Sequence, residues 1–188
     1  MCYPHSSFPG VVIYEPRVFE DSRGYFFESY HRRKYEQAGI GVEFVQDNES
    51  RSRKGVLRGL HYQVAPFAQG KLIRVLEGEI LDVALDLRRG SPAFLKHFKV
   101  RLSSGNKRQL FIPQGFAHGF VVLSEWAEVF YKCDNYYSKE HERGIHYRDE
   151  TAAIDWEVPQ DQIILSGKDD QLPRIEQAEH DFVFAVEA

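Results

Sequence analysis

The sequence predicts an all-β fold of the sandwich or small-barrel class, of jelly-roll type. Short apolar runs recur at roughly even spacing along most of the chain, and Pro, Gly and aromatic residues separate them. Only residues 31–38 have a helical pattern, which Gly39 ends in the left-handed conformation open to glycine. At 188 residues, 43 % of them hydrophobic, a single domain spanning residues 1–188 is the simplest organisation.

The strands follow from the positions of these apolar runs. They are predicted at residues 11–14, 25–30, 42–46, 71–76, 80–87, 98–102, 109–112, 120–123 and 127–133, with a weaker candidate at 163–165. Residues 50–54 are predicted to be a polar loop. The runs 71–76 and 80–87 are expected to form one hairpin, and 120–123 and 127–133 another.

The strand at residues 80–87 has the alternation of a half-buried strand. Leucine and valine occupy its odd positions, and Asp82 and Asp86 are among its even ones. The even positions are therefore expected to face solvent. Residues 174–188 are an acidic tail whose apolar patch, at residues 182–184, could either cap the core or dock a partner.

Charge and cysteine content exclude several classes of protein. A net charge of −4 argues against a general nucleic-acid binder, although it leaves room for one basic pocket. The two cysteines, Cys2 and Cys133, make no disulfide framework, so a reducing compartment is expected. The N-terminus shows no signal-peptide pattern, and no apolar run approaches membrane-spanning length. A cytoplasmic protein without nucleic-acid or membrane partners is predicted.

The residues that could transfer protons or bind an anion lie in two short stretches. Arg58, His61 and Lys71 lie close together among strand residues, and His118 follows a Pro/Gly turn later in the chain. Imidazole titrates near neutral pH, while arginine and lysine bind anions or polarise a carbonyl. Strand alternation puts His61 and Arg58 on opposite faces unless Gly59 introduces a bulge. The set predicts a site that moves protons on an anionic substrate.

A metal site is disfavoured by the available ligands. The run Pro113-x-Gly115-x-x-His118 resembles the second motif of cupins, the metal-binding jelly-roll superfamily. Where cupins have a first His-x-His pair, this chain has His61-Tyr62-Gln63, and the cationic Lys71 lies nearby. Too few ligands remain for zinc or iron, so no metal is predicted.

Seven motifs in order resemble the dTDP-4-dehydrorhamnose 3,5-epimerase family over about residues 10–173. They are residues 19–24 (FEDSRG), 45–50 (VQDNES), 58–61 (RGLH), 69–71 (QGK), 113–120 (PQGFAHGF), 131–133 (YKC) and 166–169 (SGKD). The resemblance implies a cofactor-free, homodimeric enzyme of deoxysugar biosynthesis with a cupin-type jelly roll (double-stranded β-helix) and short peripheral helices. The tail, 174–188, lies outside it.

The resemblance also implies roles for individual residues. His61 corresponds to the catalytic base, Asp169 to its orienting carboxylate, Tyr131 to the acid on the opposite face, and Lys71 to the group that stabilises the C4 enolate oxygen. Tyr137 corresponds to a residue that stacks on thymine. Further positions match substrate contacts: Arg23, Glu28, Gln46, Asp47, Asn48, Arg58, His118, Glu142 and Lys168. In this family the segment holding Arg23 and Glu28 tends to serve the neighbouring subunit's site.

The implied reaction agrees with the chemistry of these residues. A C4 ketone acidifies the hydrogens on C3 and C5, so inversion needs a base on one face and an acid on the other. The predicted substrate is dTDP-4-dehydro-6-deoxy-D-glucose. The alternatives are a 3-epimerase, an epimerase of another 4-keto sugar nucleotide, a non-catalytic sugar-nucleotide-binding cupin and a metal-dependent cupin oxygenase.

Overall fold

Two antiparallel β-sheets pack face to face in the computed structural model, which describes residues 2–4 and 7–185. The strands are β1 (Cys2–Pro4), β2 (Val12–Tyr14), β3 (Val18–Asp21), β4 (Gly24–Phe27), β5 (Gln46–Arg53), β6 (Leu57–Gln63), β7 (Lys71–Glu77), β8 (Glu79–Asp86), β9 (His97–Ser103), β10 (Gln109–Ile112), β11 (Phe116–Val122), β12 (Trp126–Cys133) and β13 (Glu142–Gly144). The helices are short: α1 (Arg32–Gln37) and the 3-10 turns Gln160–Gln162, Asp169–Gln171 and Ile175–Gln177. The all-β jelly-roll prediction is confirmed.

Most strands that follow each other in sequence lie in different sheets. Sheet 1 has the order β1-β2-β10-β7-β12-β5, and sheet 2 has the order β13-β6-β11-β8-β9. Strands β3 and β4 form a separate two-stranded hairpin. Both predicted hairpins are therefore wrong, because β7 and β12 belong to sheet 1 whereas β8 and β11 belong to sheet 2.

A close contact between two chain corners explains this crossing. Gly78 turns the chain from β7 into β8 with φ of 78°, and a Cβ there would collide with the Trp126 carbonyl and the Ser124 hydroxyl. The Glu79 N–H donates to Ser124 Oγ at 2.8 Å, so the two turns pack against each other. The chain thus passes from one sheet to the other where a two-stranded hairpin would have folded back.

Three apolar clusters cover the sheets. One fills the interior between them, with Ile73, Leu110 and Phe120 among its members. A second lies on the outer face of sheet 2 beneath the C-terminal segment, which contributes Trp156 and Ile175. A third covers part of the outer face of sheet 1 and includes Tyr35 of α1. Sheet 2 is therefore buried on both faces.

That double coverage corrects the prediction for β8. Asp82 and Asp86 do not face solvent: both are fully buried. Asp86 accepts hydrogen bonds from Arg88 and Ser91, and Asp82 lies against His118. The alternation in sequence was real, but the face it marked as polar points into the molecule, where each carboxylate has a partner.

The strand and loop predictions around β5 were also wrong. Residues 41–45 are not a strand, and the predicted loop at 50–54 lies largely within β5. Strand β5 is the edge of sheet 1, pairs only with β12 among the described strands, and carries polar side chains on both faces. Because neither face of β5 is apolar, alternation of apolar and polar residues cannot reveal this strand.

The C-terminal tail caps the core. Phe182 packs on the cluster beneath sheet 2, and residues 182–184 exchange backbone hydrogen bonds with Arg89. Arg88 contacts the Phe184 ring, 4.9 Å from its centroid. Cys133 is a buried free thiol, whereas the side chain of Cys2 lies outside the described residues. None of the helices described here is long and apolar enough to cross a membrane.

Candidate active site

A cavity of about 410 Å³ opens between the two sheets and collects side chains from both. It is lined by Ser50, Val56, Leu57, Arg58, His61, Lys71, His118, Phe120, Tyr131, Ile164, Leu165, Ser166, Lys168 and Asp169. A smaller recess of about 120 Å³ shares His61, Lys71 and Tyr131 and adds, among others, Gln46, Asn48, Tyr137 and Glu142. Most of the residues predicted from sequence therefore surround one continuous site.

A bulge in β6 brings Arg58 and His61 to the same side. On β11, His118 pairs with His61 and Phe120 with Arg58, so three steps on β6 match two on β11. Gly59 has φ of 122°, and a Cβ there would meet the backbone of β11, so only glycine fits. The bulge that the sequence allowed at Gly59 is present, so His61 and Arg58 line the same cavity.

His61 and Asp169 form a close acid–base contact in the cavity. Nε2 of His61 lies 2.6 Å from Oδ1 of Asp169, and the imidazole is partly open to the cavity. Burial raises the pKa of Asp169, but the His61 hydrogen bond, with help from Ser166 and Gly59, outweighs it and leaves that pKa lowered. The ionised carboxylate fixes the imidazole, and an Nε2–H donated to it leaves Nδ1 free to accept a proton.

Lys71 is a cation held in a mostly apolar wall. It begins β7, between Ile112 of β10 and Cys133 of β12, and no carboxylate among the described residues lies within ion-pairing distance of its Nζ. Desolvation lowers its pKa, opposed by the charges of Asp82 and Glu142. An ammonium without a partner is available to an oxyanion of a ligand.

Tyr131 stands on the opposite wall from His61. It belongs to β12 of sheet 1, whereas His61 belongs to β6 of sheet 2. Its ring centroid lies 5.9 Å from Lys71 Nζ. Burial raises the pKa of its phenol, so the hydroxyl stays protonated at neutral pH and can donate a proton.

A second histidine–aspartate pair lies deeper. His118 is buried, with Nε2 3.0 Å from both carboxylate oxygens of Asp82. His118 was predicted from its sequence motif, whereas Asp82 was not predicted as a site residue. The position of Asp82 within the long apolar run of β8 could have indicated a buried carboxylate. Alternation along the strand instead predicted that Asp82 faces solvent.

Three predicted residues form an ion cluster at the mouth of the recess. Glu142 Oε2 lies 2.5 Å from Lys168 Nζ and accepts a hydrogen bond from the Tyr137 hydroxyl at 2.8 Å. Burial raises the pKa of Glu142, but these two contacts together leave it lowered. Gln46 accepts the backbone N–H of Tyr137 at 2.9 Å and donates to Asn48 at 3.0 Å, which ties the cluster to β5.

Three other predicted contacts lie away from the cavity of this chain. Asp47 points to the outer face of sheet 1, where Lys132 Nζ donates to it at 2.8 Å. Neighbours on one strand alternate between faces, so Asp47 cannot share the cavity with Gln46 and Asn48. Arg23 pairs with Asp21 in the β3–β4 hairpin, and Glu28 pairs with Lys34.

The donors at this site do not fit a metal ion. Gln63 is buried, and its amide is committed to the backbone of Phe67, Tyr136 and Ser138. In the described part of the chain, no three His, Cys, Asp or Glu side chains are grouped to hold a metal. The absence of a cofactor stays a prediction.

Known proteins resemble the chain along most of its length. The sequence model of the dTDP-4-dehydrorhamnose 3,5-epimerase family matches residues 5–177. A dTDP-4-dehydrorhamnose 3,5-epimerase of Pseudomonas aeruginosa is 58 % identical over 164 residues, 87 % of this chain and 90 % of that one. One from Shigella flexneri is 57 % identical over 162 residues, 86 % and 88 % of the two chains.

A solved structure is also similar to this chain. A dTDP-6-deoxy-D-glucose-3,5-epimerase from Legionella pneumophila, solved in complex with dTDP-4-keto-L-rhamnose, superposes with a TM-score of 0.89. It is 49 % identical, and the match covers 94 % of each chain.

Proposed function

The chain belongs to the dTDP-4-dehydrorhamnose 3,5-epimerase family, and we propose that its cavity inverts C3 and C5 of dTDP-4-dehydro-6-deoxy-D-glucose. The protein is an isomerase, and the product is dTDP-4-dehydro-L-rhamnose. The observation that carries the mechanism is the placement of His61 and Tyr131 on facing sheets with Lys71 nearby.

His61 acts as the base. Asp169 holds Nε2, which leaves Nδ1 to remove the proton from C3 and then from C5, next to the C4 ketone. Each removal moves an electron pair onto the C4 oxygen and makes an enolate. Lys71, a cation with a desolvated ammonium, stabilises that oxygen.

Tyr131 completes each inversion. The enolate carbon takes a proton from the phenol on the face opposite His61, and the electron pair returns to re-form the ketone. Before the next inversion, the His61 imidazolium releases its proton to solvent and the Tyr131 phenolate takes one up, so both groups return to their starting protonation states. A base alone would return the proton to the face it left and give exchange with retention.

The remaining cavity residues bind the nucleotide. Arg58 and Lys168 provide positive charge for the diphosphate, which explains how a chain of net charge −4 holds a dianion. Tyr137, with an exposed ring beside Glu142, is suited to stack on the base. Gln46, Asn48 and His118 supply amide and imidazole hydrogen bonds. Asp47 binds Lys132 on the outer face of sheet 1 and has no substrate contact in this cavity.

We propose a homodimer in which the β3–β4 hairpin reaches the partner's site. The hairpin carries Arg23, whose side chain is 88 % exposed, and the large apolar side chains Phe26, Tyr25 and Phe19, each more than half exposed. Such a patch is typical of an interface. The chain folds as one domain in this proposal, and the cytoplasm remains its predicted location.

A mixing experiment tests the shared site. Arg23→Ala and His61→Ala homodimers should each have little activity. A heterodimer, in contrast, has one site with both His61 and the partner-supplied Arg23. An equal mixture after subunit exchange should recover about a quarter of the wild-type activity if all pairings are equally probable. No recovery despite exchange shown by mass spectrometry would place Arg23 outside the shared site.

Proton exchange in deuterated water tests the reaction. Purified protein is mixed with dTDP-4-dehydro-6-deoxy-D-glucose, and deuterium at C3 and C5 is followed by NMR together with product stereochemistry. Inversion at both carbons is expected. Inversion at C3 alone would replace the proposal with a 3-epimerase, and binding without exchange would indicate a non-catalytic protein.

A further inference from the structure

A row of polar side chains follows the inward face of the edge strand β5. Every second residue faces the cavity side of sheet 1, and the row is Gln46, Asn48, Ser50 and Ser52. An inward-facing row without one apolar member is unusual for a strand of a packed sandwich. It indicates that this part of the wall contacts a polar ligand.

Three members of the row have partners within the protein. Gln46 donates to Asn48 at 3.0 Å, and the Asn48 amide lies 3.6 Å from Cys133 Sγ. Ser52 Oγ accepts the Nε–H of Arg58 at 3.0 Å. These contacts explain why polar residues are tolerated at three of the four positions.

Ser50 is the exception. Its Oγ is shielded from solvent, yet it has no hydrogen-bond partner among the residues that the structure describes. A buried hydroxyl left in this way destabilises the protein. A position where alanine would be more stable without a ligand calls for a functional explanation.

The position of Ser50 supplies that explanation. It lines the same cavity as Arg58, His61 and Tyr131. On the neighbouring strand β12 it pairs with Val129, one inward position from Tyr131, which itself pairs with Asn48. Ser50 therefore lies along the wall between the proposed acid, Tyr131, and the Ser52–Arg58 contact.

We propose that the Ser50 hydroxyl is a further substrate-binding group, which donates a hydrogen bond to an oxygen of the sugar-diphosphate part of the substrate. The assignment rests on the proposed function. A rotation about its Cα–Cβ bond turns the hydroxyl between staggered positions, so no backbone change is required. The acceptor is an oxygen of either the diphosphate or the hexose. Comparing dTDP, which has no hexose, with the full substrate distinguishes the two.

The test compares Ser50→Ala with Ser50→Thr, which keeps a hydroxyl and suits a strand. Binding of dTDP and steady-state turnover of dTDP-4-dehydro-6-deoxy-D-glucose are measured for both variants and the wild type. Ser50→Ala should weaken dTDP binding about 10-fold or more if the acceptor is a charged phosphate oxygen. If the acceptor is a hexose oxygen, dTDP binding stays unchanged and KM for the full substrate rises about 3- to 10-fold.

Thermal unfolding of the free protein provides the second measurement. Removal of an unpartnered hydroxyl should leave the melting temperature of Ser50→Ala unchanged or raise it, while the stabilisation by ligand falls. Ser50→Thr should bind ligand nearly as the wild type does. Ser104→Ala, at a serine away from the cavity, is the matched control and should alter neither binding nor turnover.

These measurements distinguish a failure of the proposed function from a failure of the role proposed for Ser50. A wild type that neither binds dTDP nor exchanges substrate protons would overturn the proposed function. An active wild type whose Ser50→Ala variant binds dTDP, turns over substrate and gains stability from ligand as before would overturn the role of Ser50 alone. A lower melting temperature for the free Ser50→Ala protein with unchanged binding would also overturn it and assign the hydroxyl a structural role.

Discussion

His61 and His118 lie opposite each other on neighbouring strands of sheet 2, and each has an aspartate carboxylate at hydrogen-bond distance from Nε2. The environments differ. The side chain of His61 is 28 % exposed, and its partner Asp169 comes from a short turn near the C-terminus. The side chain of His118 is 8 % exposed, and its partner Asp82 lies on the adjacent strand β8 and is fully enclosed.

This difference in exposure indicates different roles for the two histidine–aspartate pairs. A base must reach substrate and exchange protons, so its imidazole needs one open nitrogen. An enclosed pair instead fixes a polar group in place: Asp82 holds Nε2 of His118, so the imidazole keeps one orientation in the cavity wall. We therefore assign proton transfer to the His61 pair and positioning within the cavity wall to the His118 pair.

The largest effect is expected from His61→Ala. The variant should lose deuterium exchange at both C3 and C5, by about 10²- to 10⁴-fold or more, because His118 is enclosed and no other imidazole of the described residues lines the cavity. Circular dichroism should show a folded protein. His97→Ala, at a histidine bonded to the Ala152 carbonyl away from the cavity, is the control and should keep wild-type exchange. Exchange near the wild-type rate in His61→Ala would move the base to another residue.

Tyr131→Phe should separate exchange from inversion. Phenylalanine keeps the ring but removes the hydroxyl, so substrate binding and part of the exchange should remain while inversion falls about 100-fold, with C5 affected at least as much as C3. Product stereochemistry by NMR is the measurement. Inversion of both carbons at an undiminished rate would show that a different acid serves the second face.

Asparagine substitutions of Asp169 and Asp82 test whether the two histidine–aspartate pairs have different roles. Asp169→Asn should lower kcat about 10- to 100-fold with little loss of stability, because the amide orients His61 without stabilising its charged form. Asp82→Asn should destabilise folding by about 1–3 kcal/mol, since it disturbs a fully buried hydrogen-bonded pair. Urea unfolding and steady-state kinetics on both variants provide the answer. The reverse pattern, with kcat falling more for Asp82→Asn, would make His118 the proton-transfer group.

The sequence predicted the jelly roll and most of the site, but not how the pairs are assembled. His61, Lys71, Tyr131 and Asp169 were expected in one site from the family resemblance, and three of them come from segments that only the fold brings together. Asp82 was missed because alternation shows that two faces differ, not which face meets water. Sheet 2 is covered on both sides by segments distant in sequence.

Strand pairing and side-chain direction could not be predicted from the sequence pattern for a similar reason. The turns at Gly78 and Ser124 have the composition of hairpin turns, but their mutual packing directs the chain into the facing sheet. Asp47 was carried over with its neighbours Gln46 and Asn48, although alternation along β5 puts it on the other face. A run of matching residues says nothing about which side chains point together.

The smallest expected effect concerns stability near Lys71, whose pKa desolvation lowers, with only partial opposition from the charge of Asp82. Because the folded pKa lies below the unfolded value of about 10.4, unfolding takes up a proton between the two, so wild-type stability should increase with pH there. Lys71→Met should be inactive, more stable than wild type below that window, and free of the increase. Lys99, whose pKa Glu157 and Asp155 raise, has the opposite sign: its stabilisation is lost as pH rises through its folded pKa. Below these windows the urea midpoint of Lys71→Met should lie above that of the wild type and the midpoint of Lys99→Met below it, and both differences should shrink as pH rises. Parallel curves for Lys71→Met and the wild type would show that Lys71 is solvated in the folded protein.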